Sequence, residues 1–242
     1  MITVVVPTYN EEKNIERCLK ALTNQTLPRD SYEIIVVDGG SKDRTVEIAS
    51  KFADKVMQQV SEGVGGARND GAAAAKGDII ATTDADCVPN SDWLENIQED
   101  FKDEKLVAVT GYLDPVIPKE LHWLDADSYR YAFKVANGLR KAGSRVGYHH
   151  LCGANTAFRR DAFIDINGYR PLAYSDDLEI AKRLRKQGKL TMDERIQVDY
   201  SIRRIQKMGI AKFTWMAMKN DFNVMILGRS PTKGNYAKQN YD

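Results

Sequence analysis

The sequence predicts an α/β protein: a mostly parallel, Rossmann-like sheet flanked by helices, with a C-terminal helical extension. Three observations predict it. Short β-branched runs alternate with helix-period segments through the first hundred residues, the pattern of β-α-β units. Polar and glycine-rich clusters fall where strands give way to helices, the edge on which open α/β sheets bind ligands. After Leu113 the alternation stops and longer helical segments take over.

In chain order, Ile2 to Val6 is a β-branched run ended by Pro7, and Glu11 to Leu22 has helical spacing at Ile15, Leu19 and Leu22. Tyr32 to Val37 is a second strand, Asp43 to Ala53 a helix, and Lys55 to Val60 an edge-like strand. Ala67 to Ala75 is Ala-rich and helical, Ile79 to Thr83 a buried strand, and Trp93 to Phe101 a helix. Val107 to Leu113 is the next strand, with Pro115 and Pro118 breaking the chain after it. Glu120 to Leu139 reads as a long helix, and the glycine- and base-rich stretch Gly138 to Gly153 as a mobile loop. Ala154 to Phe158 is a strand, Asp161 to Asn167 a short helix, and Asp177 to Gln187 a helix stopped at Gly188. Ile210 to Leu227 is an apolar-rich helix, and the tail from Ser230 is expected to fray. The boundaries expected are 1–205 for the α/β domain, with halves 1–113 and 114–205, and 206–242 as helix and tail.

Composition narrows the function. With 43% hydrophobic and 29% charged residues the chain is of ordinary globular type. A net charge of +1 argues against a nucleic-acid partner. Cys18, Cys87 and Cys152 lack the spacing of a zinc site or a disulfide framework, and suit a reducing compartment. The N-terminus lacks signal-peptide character and no apolar stretch is long enough to cross a bilayer. A cytoplasmic protein is expected, at most peripheral to a membrane.

The junctions carry the chemistry. In Pro7-Thr8-Tyr9-Asn10-Glu11-Glu12 an aromatic stands at a strand end, suited to stacking on a base or to closing the core, with Asn10 as cap of the next helix. Asp38, before Gly39 and Gly40, can accept the imino hydrogen of a uracil or guanine, or cap its own turn. In Gly63-Val64-Gly65-Gly66-Ala67-Arg68, glycines before a helix with Arg68 in its first turn suit a diphosphate, or form a linker with a surface arginine. Asp84 and Asp86 end the strand Ile79 to Thr83, where two carboxylates can share a hard divalent cation or merely cap a helix.

Taken in order, P-T-Y-N-E-E, V-V-D-G-G-S-K-D-R-T, G-G-A-R-N-D-G, G-D-I-I-A-T-T-D-A-D-C and C-G-A-N-T-A-F-R-R-D-A-F resemble the family 2 glycosyltransferases of GT-A fold, from about Ile2 to Gly209. The resemblance implies inverting transfer of a sugar from a UDP- or GDP-linked donor. It implies that Pro7, Thr8 and Tyr9, with Glu11, hold the nucleoside while Asp38 reads the base. Arg68 would contact base or diphosphate, Asp84 the ribose or donor, and Asp86, with Asp84, Mg2+ or Mn2+. Asp177 matches the acid assigned as catalytic base, with Asp176 where Glu is commoner. The division of roles between these two stays open, because two Asp at a helix start also suit the helix dipole.

Arg203 and Arg204 fall where processive relatives carry Q-x-x-R-W, which is absent here. They are read either as a lid over the diphosphate or as surface cations. His149 and His150 precede the Cys152-Gly153-Ala154-Asn155 turn, which in the family lines the acceptor pocket. The 210–227 segment suits packing on the sheet or on a second subunit, as in a homodimer, and also a membrane interface. The expected acceptor is a hydroxyl of a glycan or lipid-linked molecule. Transfer to a polyprenyl phosphate is the alternative within catalysis, and Val88, where those enzymes tend to carry Gln, speaks against it. A nucleotidyltransferase would open with a Gly-rich basic loop in place of P-T-Y-N-E-E, and a non-catalytic nucleotide-sugar-binding subunit would be expected to lose Asp86 or Asp177.

Overall fold

A computed structural model describes residues 1–172 and 175–226. Its centre is β1 (Ile2–Thr8), buried along its whole length, as suits a parallel strand covered on both faces. Ile2, Val4 and Val6 join one apolar cluster and Val5 a second on the other face, the alternation intrinsic to a strand.

α1 (Ile15–Thr23) packs on the first face through Ile15, Cys18, Leu19 and Leu22. β2 (Tyr32–Asp38) runs parallel to β1, from Ile2 opposite Tyr32 to Thr8 opposite Asp38. α2 (Thr45–Ala49) leads to the edge strand β3 (Lys55–Gln58), parallel to β2. α3 (Gly63–Ala74) crosses the second face, and a Cβ on Gly71 would lie 2.3 Å from Val5 Cγ1, so the helix sits directly on β1. β4 (Ile79–Thr82) pairs parallel on the other side of β1.

Next come β5 (Val88–Pro89), α4 (Trp93–Asp100), β6 (Leu106–Val116), α5 (Trp123–Arg145), β7 (Thr156–Arg159) and α6 (Arg160–Asp165). α7 (Asp176–Leu184), β8 (Lys189–Ser201), α8 (Arg203–Met208) and α9 (Ile210–Ile226) complete the described chain. Among the described residues the strands form one sheet in the order β3-β2-β1-β4-β7-β6-β8-β5. β7 is antiparallel to β4 and β6, β5 is antiparallel to β8, and the other pairings are parallel. The expected α/β sandwich with a mostly parallel sheet is therefore present. The order reverses direction at β1 and β4, whose carboxyl ends open a crevice of the kind α/β proteins use for ligands.

Several local expectations need correction. The glycines at 63, 65 and 66 lie inside α3, and Arg68 is one turn further in than expected. The segment from Gly138 is not a loop until Val146, because α5 continues to Arg145. β6 runs through Pro115, which faces Tyr200 of β8. β8 had no forecast: its alternation at Leu190, Ile196 and Val198 is interrupted by Asp193-Glu194-Arg195. Those charges occupy a register shift in which Thr110 faces Met192 but Tyr112 faces Gln197. Gly111 permits that shift, since a Cβ there would meet Ile196 O at 1.9 Å.

None of the apolar residues described on α9 is fully buried. Ile210 and Phe213 join a small cluster with Tyr129 of α5 and Ile202 and Ile205 around α8, while Trp215, Met218 and Phe222 are exposed. Leu227 and the tail from Ser230 lie outside the described residues. Among those described, no helix is long and apolar enough to cross a membrane.

Candidate active site

The crevice is a cavity of about 460 Å³ at the carboxyl ends of β1 and β4. One wall comes from the β1 loop, with Pro7, Thr8, Tyr9 and Glu11. The floor carries Arg68 from α3 and Asp84 and Asp86 after β4. The opposite wall carries Asp176 and Asp177 at the start of α7, and Arg203 and Arg204 at the start of α8. Residues 192 positions apart, Glu11 and Arg203, thus meet in one site.

Asp38 is the exception. It is buried, its Oδ2 accepts from the Gly40 and Ser41 amides at 2.9 Å each, and its Oδ1 accepts from the Ser41 hydroxyl. The same hydroxyl accepts from the Asn10 amide at 2.8 Å, and Asn10 Oδ1 accepts from the Lys42 amide. Asp38 therefore ties the β2 turn to the β1 loop that carries Tyr9. It does not line the cleft, where Gly39 and Gln59 stand instead. Asn10 does not cap α1: it sits at φ 53°, a left-handed conformation that Asn tolerates, and the helix starts at Ile15.

Arg68 is the most constrained cation of the site. It is 4% exposed, its Nη2 donates to Asp84 Oδ1 at 2.8 Å, and its Nη1 stands 4.0 Å from Asp176 Oδ2. The guanidinium lies 5.5 Å from the centre of the Tyr169 ring. A Cβ on Gly153 would fall 2.2 Å from its Cζ, so a glycine is required there. Burial works against its charge, but Asp84 and the nearby acids hold its pKa well above the ordinary arginine value. Burial raises the Asp84 pKa, and Arg68 partly offsets this.

On the far wall, Asp177 is held by two donors: the Gly153 amide reaches its Oδ2 at 3.0 Å and the Tyr169 hydroxyl its Oδ1 at 3.3 Å. Burial, then the neighbouring Asp177 charge, raise the Asp176 pKa to about 7. Ser175, just before the pair, takes a left-handed backbone (φ 56°) and donates to Asp221 of α9 at 2.8 Å. The other Asp221 oxygen lies 3.4 Å from His150 Nε2, and His149 Nδ1 meets Ser144 Oγ at 3.1 Å. α9 thereby braces the turn that carries the two acids.

On Asp86, Arg203 Nη2 lies 2.9 Å from Oδ2. Asp84, Asp86 and Cys87 place one ligand atom each within 4.8 Å of one another. Burial keeps the Cys87 thiol well above its ordinary pKa and hence protonated. The donors left are hard carboxylate oxygens, which suit Mg2+ or Mn2+. Thr8 Oγ1 and Arg68 Nε are buried without hydrogen-bond partners in the walls of this cleft. Unmatched donors of that kind suit a polar ligand.

Sequence reasoning missed Tyr169, which orients Asp177, and Asn155, whose amide bonds Tyr112 O, Ile196 O and Trp93 Nε1. Asn155 stood in the quoted C-G-A-N motif. Tyr169 follows Asn167-Gly168 with no signal of its own beyond that turn.

Comparison with known proteins bears on this architecture. The family described as "Glycosyl transferase family 2" matches residues 3–166. Glycosyltransferase AglE of Haloferax volcanii is 42% identical over 100 residues, 39% of this chain and 33% of that protein. Poly(ribitol-phosphate) beta-N-acetylglucosaminyltransferase TarS of Staphylococcus aureus is 32% identical over 129 residues, 49% of this chain and 22% of that protein. The chain thus spans a third or less of the length of these relatives. Among solved structures, S. aureus TarS in complex with UDP-GlcNAc superposes with a TM-score of 0.66 at 20% identity, over 83% of this chain and 58% of that one. The mannosyltransferase PcManGT from Pyrobaculum calidifontis, in complex with GDP-Man and Mn2+, gives 0.66 at 24% identity, over 95% and 65%. Both likenesses establish the GT-A fold.

Proposed function

The chain belongs to glycosyl transferase family 2, and from that premise we propose that it moves a sugar, with inversion, from a UDP- or GDP-linked donor to a hydroxyl of a glycan or lipid-linked acceptor. The observation that carries this reading is the meeting of Arg68, Asp84 and Asp86 with Asp176 and Asp177 in one cleft at the sheet's switch point. The α3 N-terminus, with Gly63 and Val64, lines the same cleft, and its amides and Arg68 offer donors to a diphosphate. Tyr9 gives the nucleoside a flat face beside Pro7 and Thr8. A divalent cation held by Asp86 and Asp84, Mg2+ or Mn2+, would supply positive charge for the departing diphosphate.

Asp177 is the base. Its two donors fix the carboxylate against the cleft wall, where it takes the acceptor proton as the oxygen attacks. Asp176 beside it keeps the acid pair sensitive to pH, and Arg68 spreads its positive charge over Asp84 and Asp176. The outward apolar face of α9, flanked by exposed Lys212 and Lys219, supports peripheral contact of 210–227 with an anionic membrane surface near a lipid-linked acceptor. The same face would also serve a homodimer.

Calorimetric titration of UDP and GDP, each with Mn2+ and with EDTA, tests the reading. Tight, metal-dependent binding of one nucleotide is expected. Binding of neither would refute it.

A further inference from the structure

One nitrogen of Arg203 faces three carboxylate oxygens. Its Nη2 lies 2.9 Å from Asp86 Oδ2, and 2.9 and 3.0 Å from the two oxygens of Glu11. A terminal guanidinium nitrogen carries two hydrogens, so these are shared contacts and the group acts on the two acids as a bridging positive charge. Glu11 is fixed for that part, since Asn14 Nδ2 donates to its Oε2 at 2.7 Å and its own amide donates to Thr45 Oγ1 at 2.7 Å. The Arg203 side chain is 31% exposed and opens the α8 helix, so it can leave without unpacking the core.

We propose that Arg203 is an internal counter-cation that holds Asp86 against the metal until the donor diphosphate draws it away. Metal and nucleotide diphosphate then bind as a coupled pair, neither tightly alone, and Glu11 is the clamp that holds Arg203 in the empty cleft. This rests on the nucleotide-sugar reading above. The physical basis is competition for one carboxylate. With Arg203 in contact, a cation at Asp86 must displace a positive charge or sit beside it. A diphosphate offers the guanidinium fork a better partner and releases Asp86. Linkage makes the effect reciprocal: whatever factor the diphosphate adds to metal affinity, the metal adds to diphosphate affinity.

The test is Mn2+ binding to the full chain, followed by the electron paramagnetic resonance of free Mn2+, with and without saturating UDP or GDP. Arg203→Ala is expected to bind Mn2+ alone about tenfold tighter, because an opposite charge in contact shifts an acid's balance by that order or more. The enhancement of Mn2+ binding by nucleotide should shrink in the same variant. Arg204→Ala removes a neighbouring cation of the same cleft and should change Mn2+ binding little. Arg203→Lys keeps a charge but not the fork, and should fall between wild type and Arg203→Ala, which guards against a misfolded alanine variant.

Unchanged Mn2+ affinity in Arg203→Ala, with nucleotide binding weakened, would make Arg203 a plain diphosphate contact and overturn the proposal. Equal tightening in Arg203→Ala and Arg204→Ala would reduce it to general electrostatics and also overturn it. A wild-type chain with no Mn2+-nucleotide binding that Asp86→Ala abolishes would overturn both this proposal and the donor-site reading.

Discussion

The two carboxylates of the D-x-D each face an arginine, and the two pairs are built differently. Asp84 meets Arg68, which is enclosed by Tyr169, the Gly153 backbone and Asp176. Asp86 meets Arg203, a partly exposed side chain that opens a short helix. Charge and distance are nearly the same, 2.8 Å against 2.9 Å. Burial of the arginine separates them: Arg68 is enclosed, so losing its partner strands a charge, whereas Arg203 is partly exposed and parts at lower cost. The cleft thus has a rigid side, which carries the acid pair of α7, and an adjustable side, which carries Glu11 and Asp86.

The rigid side should give the largest functional loss. Asp177→Asn keeps the shape and both neighbouring groups but removes the proposed base, and should lower transfer by ~10²–10⁴-fold while donor affinity stays near normal. Single-turnover rates and nucleotide titrations separate the two quantities. Near-normal turnover would mean that the fixed wall merely shapes the site.

Arg68→Ala tests the same wall through stability. The variant leaves Asp84 and Asp176 without their shared cation and opens a gap against Tyr169 and Gly153. Loss of one partner of a buried pair costs about 3–5 kcal/mol, and the partial exposure of Asp84 puts the expected loss at the lower end. Denaturant melts should show it as a lower midpoint. A change below about 1 kcal/mol, the range of exposed pairs, would erase the contrast between the two arginines.

A smaller effect should follow pH. Asp176 holds its proton to about pH 7, against an ordinary value of 3.8, because it is buried beside Asp177. Between those values the native chain carries a proton that the unfolded chain has lost, so stability falls as pH rises through that window. Turnover moves the other way and should rise through about pH 7, as the pair loses that proton and Asp177 gains a charged neighbour. Asp176→Asn, which has no proton to lose in that window, should abolish the rise. A profile that does not move would separate Asp176 from the chemistry.

Much of this was legible in the chain. One wall of the cleft is local in sequence: Pro7, Thr8 and Tyr9 stand at the end of β1, Arg68 early in α3, and Asp84 and Asp86 after β4, so they could be read from strand ends and a glycine-rich helix start. Asp38 was left between two readings because a strand-end carboxylate satisfied by its own turn looks the same in sequence as one facing a ligand, and the structure shows the turn contacts. The glycines read as preceding a helix lie inside α3, where Gly65 and Gly71 serve close packing, on Tyr169 and on β1. β8 was missed because its charged centre sits in a register shift, where alternation no longer reports the buried face. The partners of Asp177 and of Glu11 were out of reach, since Tyr169 and Arg203 arrive by tertiary packing and carry no periodic signal.

The smallest expected effect falls on the adjustable side. Arg203→Ala removes contacts with both Glu11 and Asp86, and global stability should fall by about 1 kcal/mol, less than for Arg68→Ala, because Arg203 is partly exposed where Arg68 is enclosed. Repulsion between Glu11 and Asp86, no longer bridged, limits any gain. Measured beside Arg68→Ala in the same denaturant series, the pair of values gives the contrast directly: a large loss for the enclosed arginine and a small one for the exposed arginine. Equal losses would mean that α8 depends on Arg203 for its place against the sheet. The adjustable side would then be as fixed as the other, and a guanidinium that anchors a helix could not also yield Asp86 to a metal.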